Sequence, residues 1–143
     1  MNHWIMIPVI LPLLLGAVLA WLSDERATLQ RRLSLAGSLA LLAVSLLLMQ
    51  TANQEQVQIY SLGNWSAPFG IVLVLDRLSA LMVLTTAVLA ALVNGYACAG
   101  DDKRGRYFHA LFQFQIAGIC GAFLTGDLFN LFVFFEIMLI ASY

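Results

Sequence analysis

Five apolar runs order this chain: Trp4–Leu22, Leu33–Met49, a long stretch from Phe69 to Ala99, Tyr107–Leu124, and Leu128 to Tyr143. A helix needs about 20 residues, at about 1.5 Å each, to cross about 30 Å of hydrocarbon. The first, second and fourth runs each make one such helix. Apolar and aromatic residues are 62% of the chain, while 7 Lys/Arg and 8 Asp/Glu are its whole complement of charge. Soluble domains run at about 45–50% apolar and about 25% charged, so this chain cannot cover its hydrocarbon in water. Disorder has the opposite signature and is excluded too. The lipid bilayer is the expected solvent. With a formal net charge of −1, no basic face is available to neutralise phosphates, which excludes a nucleic-acid partner.

The third run is too long for one crossing and too short for two, and Asp76-Arg77 interrupts it. Splitting it there gives a helix from Asp76 to about Cys98. Ahead of the split, Gln56-Val57-Gln58-Ile59-Tyr60 alternates polar and apolar, Gly63-Asn64 and Pro68 supply turn chemistry, and Ile71–Leu75 is rich in β-branched residues. The pattern predicts a small extramembrane β-hairpin over about 56–75, which must lie against protein outside the lipid because an open sheet edge leaves backbone groups unpaired. The expected fold is therefore all-α and integral to the membrane. It has about five transmembrane helices, near 4–22, 33–49, 76–98, 107–124 and 128–143, with the hairpin between the second and third.

Charge sets the orientation. Arg26, Arg31 and Arg32 lie in the first connection and Lys103, Arg104 and Arg106 in the third, whereas 50–75 and Thr125–Asp127 hold no Lys or Arg. Positive loops stay cytoplasmic, so the N-terminus and hairpin are expected outside. Ala17–Ala20 imitates a signal-peptidase site, but Met1–Trp4 lacks Lys and Arg, Pro8 and Pro12 interrupt the run, and the run exceeds a typical signal core. It reads as a retained span. The last run reaches Tyr143 without a basic flank or polar exit, and a helix ending in lipid strands its last carbonyls. The expectation is one membrane domain over 1–143 that forms the N-terminal part of a longer protein.

Glu136 is the sharpest chemical signal. If Asp127 caps the last helix, nine residues at about 1.5 Å put Glu136 about 13.5 Å deep, close to the midplane. A carboxylate there costs at least about 2.5–3.5 kcal/mol on insertion scales, so it must be partnered, hydrated or protonated. Burial favours its proton and a cation disfavours it, which is the requirement of a proton carrier. The competing reading is a neutral carboxyl held for packing. No Lys or Arg of the chain lies at that depth, so a cationic partner would come from elsewhere. His109 and Gln113 share a face of the fourth helix, and His109, about a turn inside the cytoplasmic end, is a candidate for proton access or an interfacial hydrogen-bonding residue. Gln115 points about 200° from Gln113. Asp76, and Asp127 with Thr125 and Asn130, read as helix caps. Ala87, Ala90, Ala91 and Gly95, with Ala117 and Gly121, read as small residues for close helix packing. Cys98 and Cys120 lack any metal or redox spacing and read as packing residues. No cofactor or metal site is expected.

The stretches Leu62–Met82 and Phe112-Gln113 through Phe134-Phe135-Glu136 resemble the antiporter-like membrane subunits shared by multisubunit cation/proton antiporters and respiratory complex I, above all the D-type subunits of the Mrp (Mnh, Pha) antiporters. The resemblance implies a 14-helix protein of about 500 residues in a hetero-oligomeric complex of the bacterial cytoplasmic membrane, with other membrane subunits as partners and protons with Na⁺ or K⁺ as cargo. It also implies that Glu136 pairs with a Lys on a seventh helix and that protonation of this pair drives ion movement. Three functions follow as expectations: a secondary transporter subunit rather than an enzyme, a proton-pumping subunit of an NADH-quinone oxidoreductase or membrane-bound hydrogenase, and a scaffold without an ion path.

Overall fold

A computed structural model describes residues 3–22, 27–54, 57–64 and 70–142. Arg26, Gln56, Pro68 and Tyr143, and the stretch 65–69, lie outside the described residues. Five α-helices follow in order: α1 (Ile7–Trp21), α2 (Ala27–Gln54), α3 (Arg77–Ala97), α4 (Phe108–Leu124) and α5 (Leu128–Ser142). A 3-10 turn, His3–Met6, leads into α1, so the first apolar stretch is helical from His3 to Trp21. Pro8 sits in the first turn of α1, where its missing N–H costs nothing, and Pro12 lies inside the helix.

Two boundaries differ from expectation for a physical reason. α2 extends well beyond Leu33–Met49 at both ends, because Gln30, Arg31 and Gln50 continue the helix while leaving the hydrocarbon. At 28 residues it is about 42 Å long. α4 and α5, at 17 and 15 residues, fall short of a full crossing by length alone. Only α2, α3 and the His3–Trp21 helix reach the length and hydropathy of a span among the described residues.

α1 packs on α4 and α2, α2 on α3, and α4 on α5. Glycines make several of these approaches close. A Cβ built on Gly16 would lie 2.8 Å from the Phe114 ring, and one on Gly37 would lie 2.0 Å from Leu15. On Gly118 it would lie 2.6 Å from Met138 Cγ and 3.0 Å from the Phe134 carbonyl oxygen. The space beside Gly121 is filled by the ring of Phe134, while Gly95, expected at a contact, faces open space. Ala87 and Ala90 are buried as expected.

The hairpin forms as β1 (Gln58–Ser61) and β2 (Val72–Leu75), antiparallel, with Ile59 opposite Val74. Its register turns Tyr60, Leu73 and Leu75 inward and leaves Ile59 exposed. Its second edge is covered. Thr125 bridges Leu73, and the Gly126 N–H donates to the Val72 carbonyl at 2.8 Å. Paired this way, the start of β2 is covered along that side. His3 joins the same end through Tyr60, Nδ1 to hydroxyl at 2.9 Å. The N-terminal turn, the hairpin and the α4–α5 turn therefore share one end of the bundle, and Arg31 and Arg106, from the two basic connections, lie with Asp102 at the other.

Both expected caps form. Ser79 N–H donates to Asp76 Oδ1 at 2.6 Å, and Asp76 N–H returns to Ser79 Oγ at 2.8 Å, which is a capping box. These hydrogen bonds, the Ser79 backbone N–H first, hold the Asp76 carboxyl below its ordinary value. At α5 the Asn130 N–H donates to Asp127 Oδ1 at 2.7 Å, with Asn130 Nδ2 on the other oxygen.

Candidate functional site

Glu136 lies on α5 about 13.5 Å from the capping Asp127, counted at about 1.5 Å per residue. The helix docks on α4 through Phe134 and Met138, each two residues and hence about 200° from Glu136. Glu136 is consequently turned away from α4 and is exposed. Among the described residues none hydrogen-bonds or ion-pairs with it, as the absence of any Lys or Arg at that depth implies. Around it Phe132, Phe135, Leu139 and Ile140 are exposed as well, and Asn130 is the one buried residue among those described in α5. A lone carboxyl on an otherwise apolar open face has to be partnered, hydrated or protonated in lipid.

A second polar cluster closes the opposite end of the bundle. Arg31, one turn into α2, grips both oxygens of Asp102: Nη2 donates to Oδ1 at 2.6 Å and Nε donates to Oδ2. Asp102 Oδ2 also lies 3.1 Å from His109 Nε2. The Asp102 side chain is 4% exposed and that of Arg31 27%, so this pair is mostly withdrawn from water. The Arg31 hydrogen bonds, against the opposing effect of burial and with help from His109, hold the Asp102 carboxyl below the usual carboxylate range. Fork-on-carboxylate geometry of this kind ties α2 to the α3–α4 connection. A cavity of about 380 Å³ opens beside it, lined by Gln30, Arg31, Asp102, Arg106 and His109.

His109 is thus buried, 4% exposed, and hydrogen-bonded to Asp102, while its Nδ1 has no hydrogen-bond partner among the described residues. Its face-mate Gln113 turns inward to α2, where Nε2 donates to the Ser34 carbonyl at 3.1 Å and Oγ at 3.2 Å. Asn94 of α3 completes the knot, donating through Nδ2 to Ser34 Oγ at 2.9 Å and Ser38 Oγ at 3.0 Å. Gln115 points elsewhere, with Oε1 buried and unpartnered.

Sequence reasoning found Glu136, His109 and Gln113 and missed Arg31, Asp102, Ser34, Ser38 and Asn94. By sequence Arg31 and Asp102 count only as loop charges, and nothing in their separation of 71 residues announces a pair. Cys120 is a buried packing residue as expected. Cys98 is different: half-buried at the end of α3, it shares a neighbourhood with Asp102 and His109.

No family model matches the chain. Curated relatives match over all of it, among them two bacterial proteins. One, from Rhizobium meliloti (strain 1021), is named as the D subunit of a probable K(+)/H(+) antiporter and is 48% identical. The other, from Bacillus subtilis (strain 168), is the D subunit of a Na(+)/H(+) antiporter and is 43% identical. The chain spans 28% and 29% of their lengths. Among solved structures, the Mrp complex from Dietzia sp. DQ12-45-1b contains a chain 32% identical, matched over 100% of this one and 27% of its own length at a TM-score of 0.91. A chain of the membrane-bound sulfane sulfur reductase, an archaeal respiratory membrane complex, is 26% identical, matched over 97% of this chain and 29% of its own length at a TM-score of 0.89. With its three spanning helices and these relatives, the chain is a multi-pass protein of the bacterial cytoplasmic membrane.

Proposed function

We propose, on the premise that the chain belongs over the stretch it spans to the family of D-type Mrp/Mnh antiporter subunits, that it is the N-terminal membrane domain of a longer protein within a multisubunit Na⁺ or K⁺/proton antiporter. In this reading Glu136 carries the proton. The supporting observation is the position of Glu136, the acidic residue at mid-depth on the face of α5 that α4 leaves uncovered. A carboxyl there exchanges its proton as a cation supplied by the rest of the protein approaches or withdraws, since the cation stabilises the charged form and desolvation the neutral one. His109, beside the cavity at the cytoplasmic end, serves as proton access. Partner membrane subunits complete the path, and transport by the segment alone is not expected.

The test is Glu136→Gln in the full-length complex, assayed by dye-reported antiport in everted vesicles. Exchange should fall to that of vesicles lacking the complex. Wild-type exchange in an assembled Glu136→Gln complex overturns the role.

The likeness to a chain of an archaeal respiratory complex favours a second reading, a proton pump powered by electron transfer in neighbouring subunits. The two part on one measurement. An antiporter dissipates an imposed pH gradient on addition of Na⁺ or K⁺ without any electron donor, and a redox-driven pump does not.

A further inference from the structure

We propose that Cys98, Asp102 and His109 form a binding site for a zinc-like transition-metal dication at the cytoplasmic end of the bundle. The three donors come from the end of α3, the 3-10 turn Asp101–Arg104 and the first turn of α4, and one ligating atom from each lies within 4.8 Å of the others. The short connection produces this meeting. Gly100, at φ +156°, turns the chain back so that Asp102 comes near Cys98, and His109 follows as the second residue of the next helix.

The geometry is close to that of an occupied site. Around a tetrahedral ion with bonds of about 2.0–2.1 Å to nitrogen and oxygen, adjacent ligands stand about 3.3 Å apart. Asp102 Oδ2 and His109 Nε2 are already at 3.1 Å. A sulfur bonded at about 2.3 Å would stand about 3.6 Å from either, and Cys98 Sγ already lies within 4.8 Å of a ligating atom of each, so a side-chain rotation suffices to bring it in. The adjoining cavity supplies water for the fourth position. Thiolate, imidazole and carboxylate together suit Zn²⁺ or Co²⁺ rather than Mg²⁺ or Ca²⁺, which take oxygen ligands.

Arg31 is the competitor. It holds Asp102 in the metal-free protein, and its side chain, 27% exposed on the cavity wall, has room to turn into water when a dication takes the carboxylate. Metal binding therefore exchanges one cation for another at Asp102, and removal of Arg31 should favour the metal.

The experiment is a Co²⁺ titration of the chain within the intact membrane complex, in detergent with purification tags removed. Visible bands of tetrahedral Co²⁺ and a near-ultraviolet sulfur-to-cobalt band should saturate at one ion per chain and disappear on addition of Zn²⁺. Cys98→Ser should abolish the sulfur band, and Cys120→Ser should keep it. His109→Gln and Asp102→Asn should each weaken binding at least about tenfold, and Arg31→Gln should tighten it by about tenfold. A measurement on the unaltered chain removes dependence on folding of the variants: Zn²⁺ should protect Cys98 from maleimide labelling. No sulfur band at millimolar Co²⁺, a band that survives Cys98→Ser, or labelling of Cys98 at an unchanged rate in Zn²⁺ each overturns the site.

Discussion

Replacing Gly118 with Ala adds a single methyl group at the contact that aims Glu136. The new Cβ would sit 2.6 Å from Met138 Cγ and 3.0 Å from the Phe134 carbonyl oxygen, about 0.8 and 0.4 Å short of an ordinary 3.4 Å contact. Met138 has a flexible side chain and can retreat. The carbonyl belongs to the α5 backbone, so the second clash is relieved only by moving the helix. Overpacking of this kind costs about 1–3 kcal/mol, a factor of about 5–150 in the folding equilibrium. Gly95→Ala is the internal control: it makes the same substitution in α3, where nothing lies within 4 Å, and it removes a glycine from a helix interior. It should be neutral or stabilising, by up to about 1 kcal/mol. The assay is reversible unfolding in mixed micelles followed by circular dichroism, with antiport measured in parallel. Gly118→Ala should lose both stability and exchange, because α5 shifts together with Glu136, while Gly95→Ala keeps both. Equal stabilities for the two variants would refute close backbone approach as what docks α5.

Asp102→Asn should cost about 1.5–3 kcal/mol, the worth of hydrogen bonds to a charged group, and Arg31→Gln should also destabilise, with the double variant costing less than the sum of the two in a thermodynamic cycle. The pH dependence has a definite sign. The Asp102 carboxyl is held below the unfolded value of about 3.9, so its contribution is complete above that pH and is lost as pH falls through the lower folded value; acid titration of unfolding should show this loss in the wild type and not in Asp102→Asn. Asn94→Ala removes two hydrogen bonds between α3 and α2, at about 0.6 kcal/mol each in a membrane, and should lower unfolding stability by about 1 kcal/mol without changing ion selectivity. Gly126→Val should loosen the hairpin, since a Cβ there would lie 2.7 Å from Val74, and faster protease cleavage within 58–75 would register it.

What the sequence revealed and what it hid divide along the range of the forces involved. Hydropathy is summed along the chain, so the apolar cores of the five helices could be read directly, and the Asp76–Ser79 box was legible because cap and donor stand three residues apart. The same local logic missed the ends of α2, because a hydropathy window registers hydrocarbon while the helix continues through Gln30 and Gln50 for as long as backbone hydrogen bonding is favourable. Glu136 was legible for another local reason: a charge inside an apolar run is costly wherever that run packs. Tertiary pairing has no such trace. Gly95 and Gly118 are the same residue in similar helices, yet one faces open space and the other admits a backbone, and only the direction in which each helix turns decides which. Arg31, Asp102 and His109 carry the same lesson into chemistry. A rule that counts basic residues assigned Arg31 to a solvated loop, yet the arginine turns its charge to a buried carboxylate that no sequence spacing marks. Charge counting depends only on where a cation sits along the chain, whereas the site depends on what faces it across the bundle.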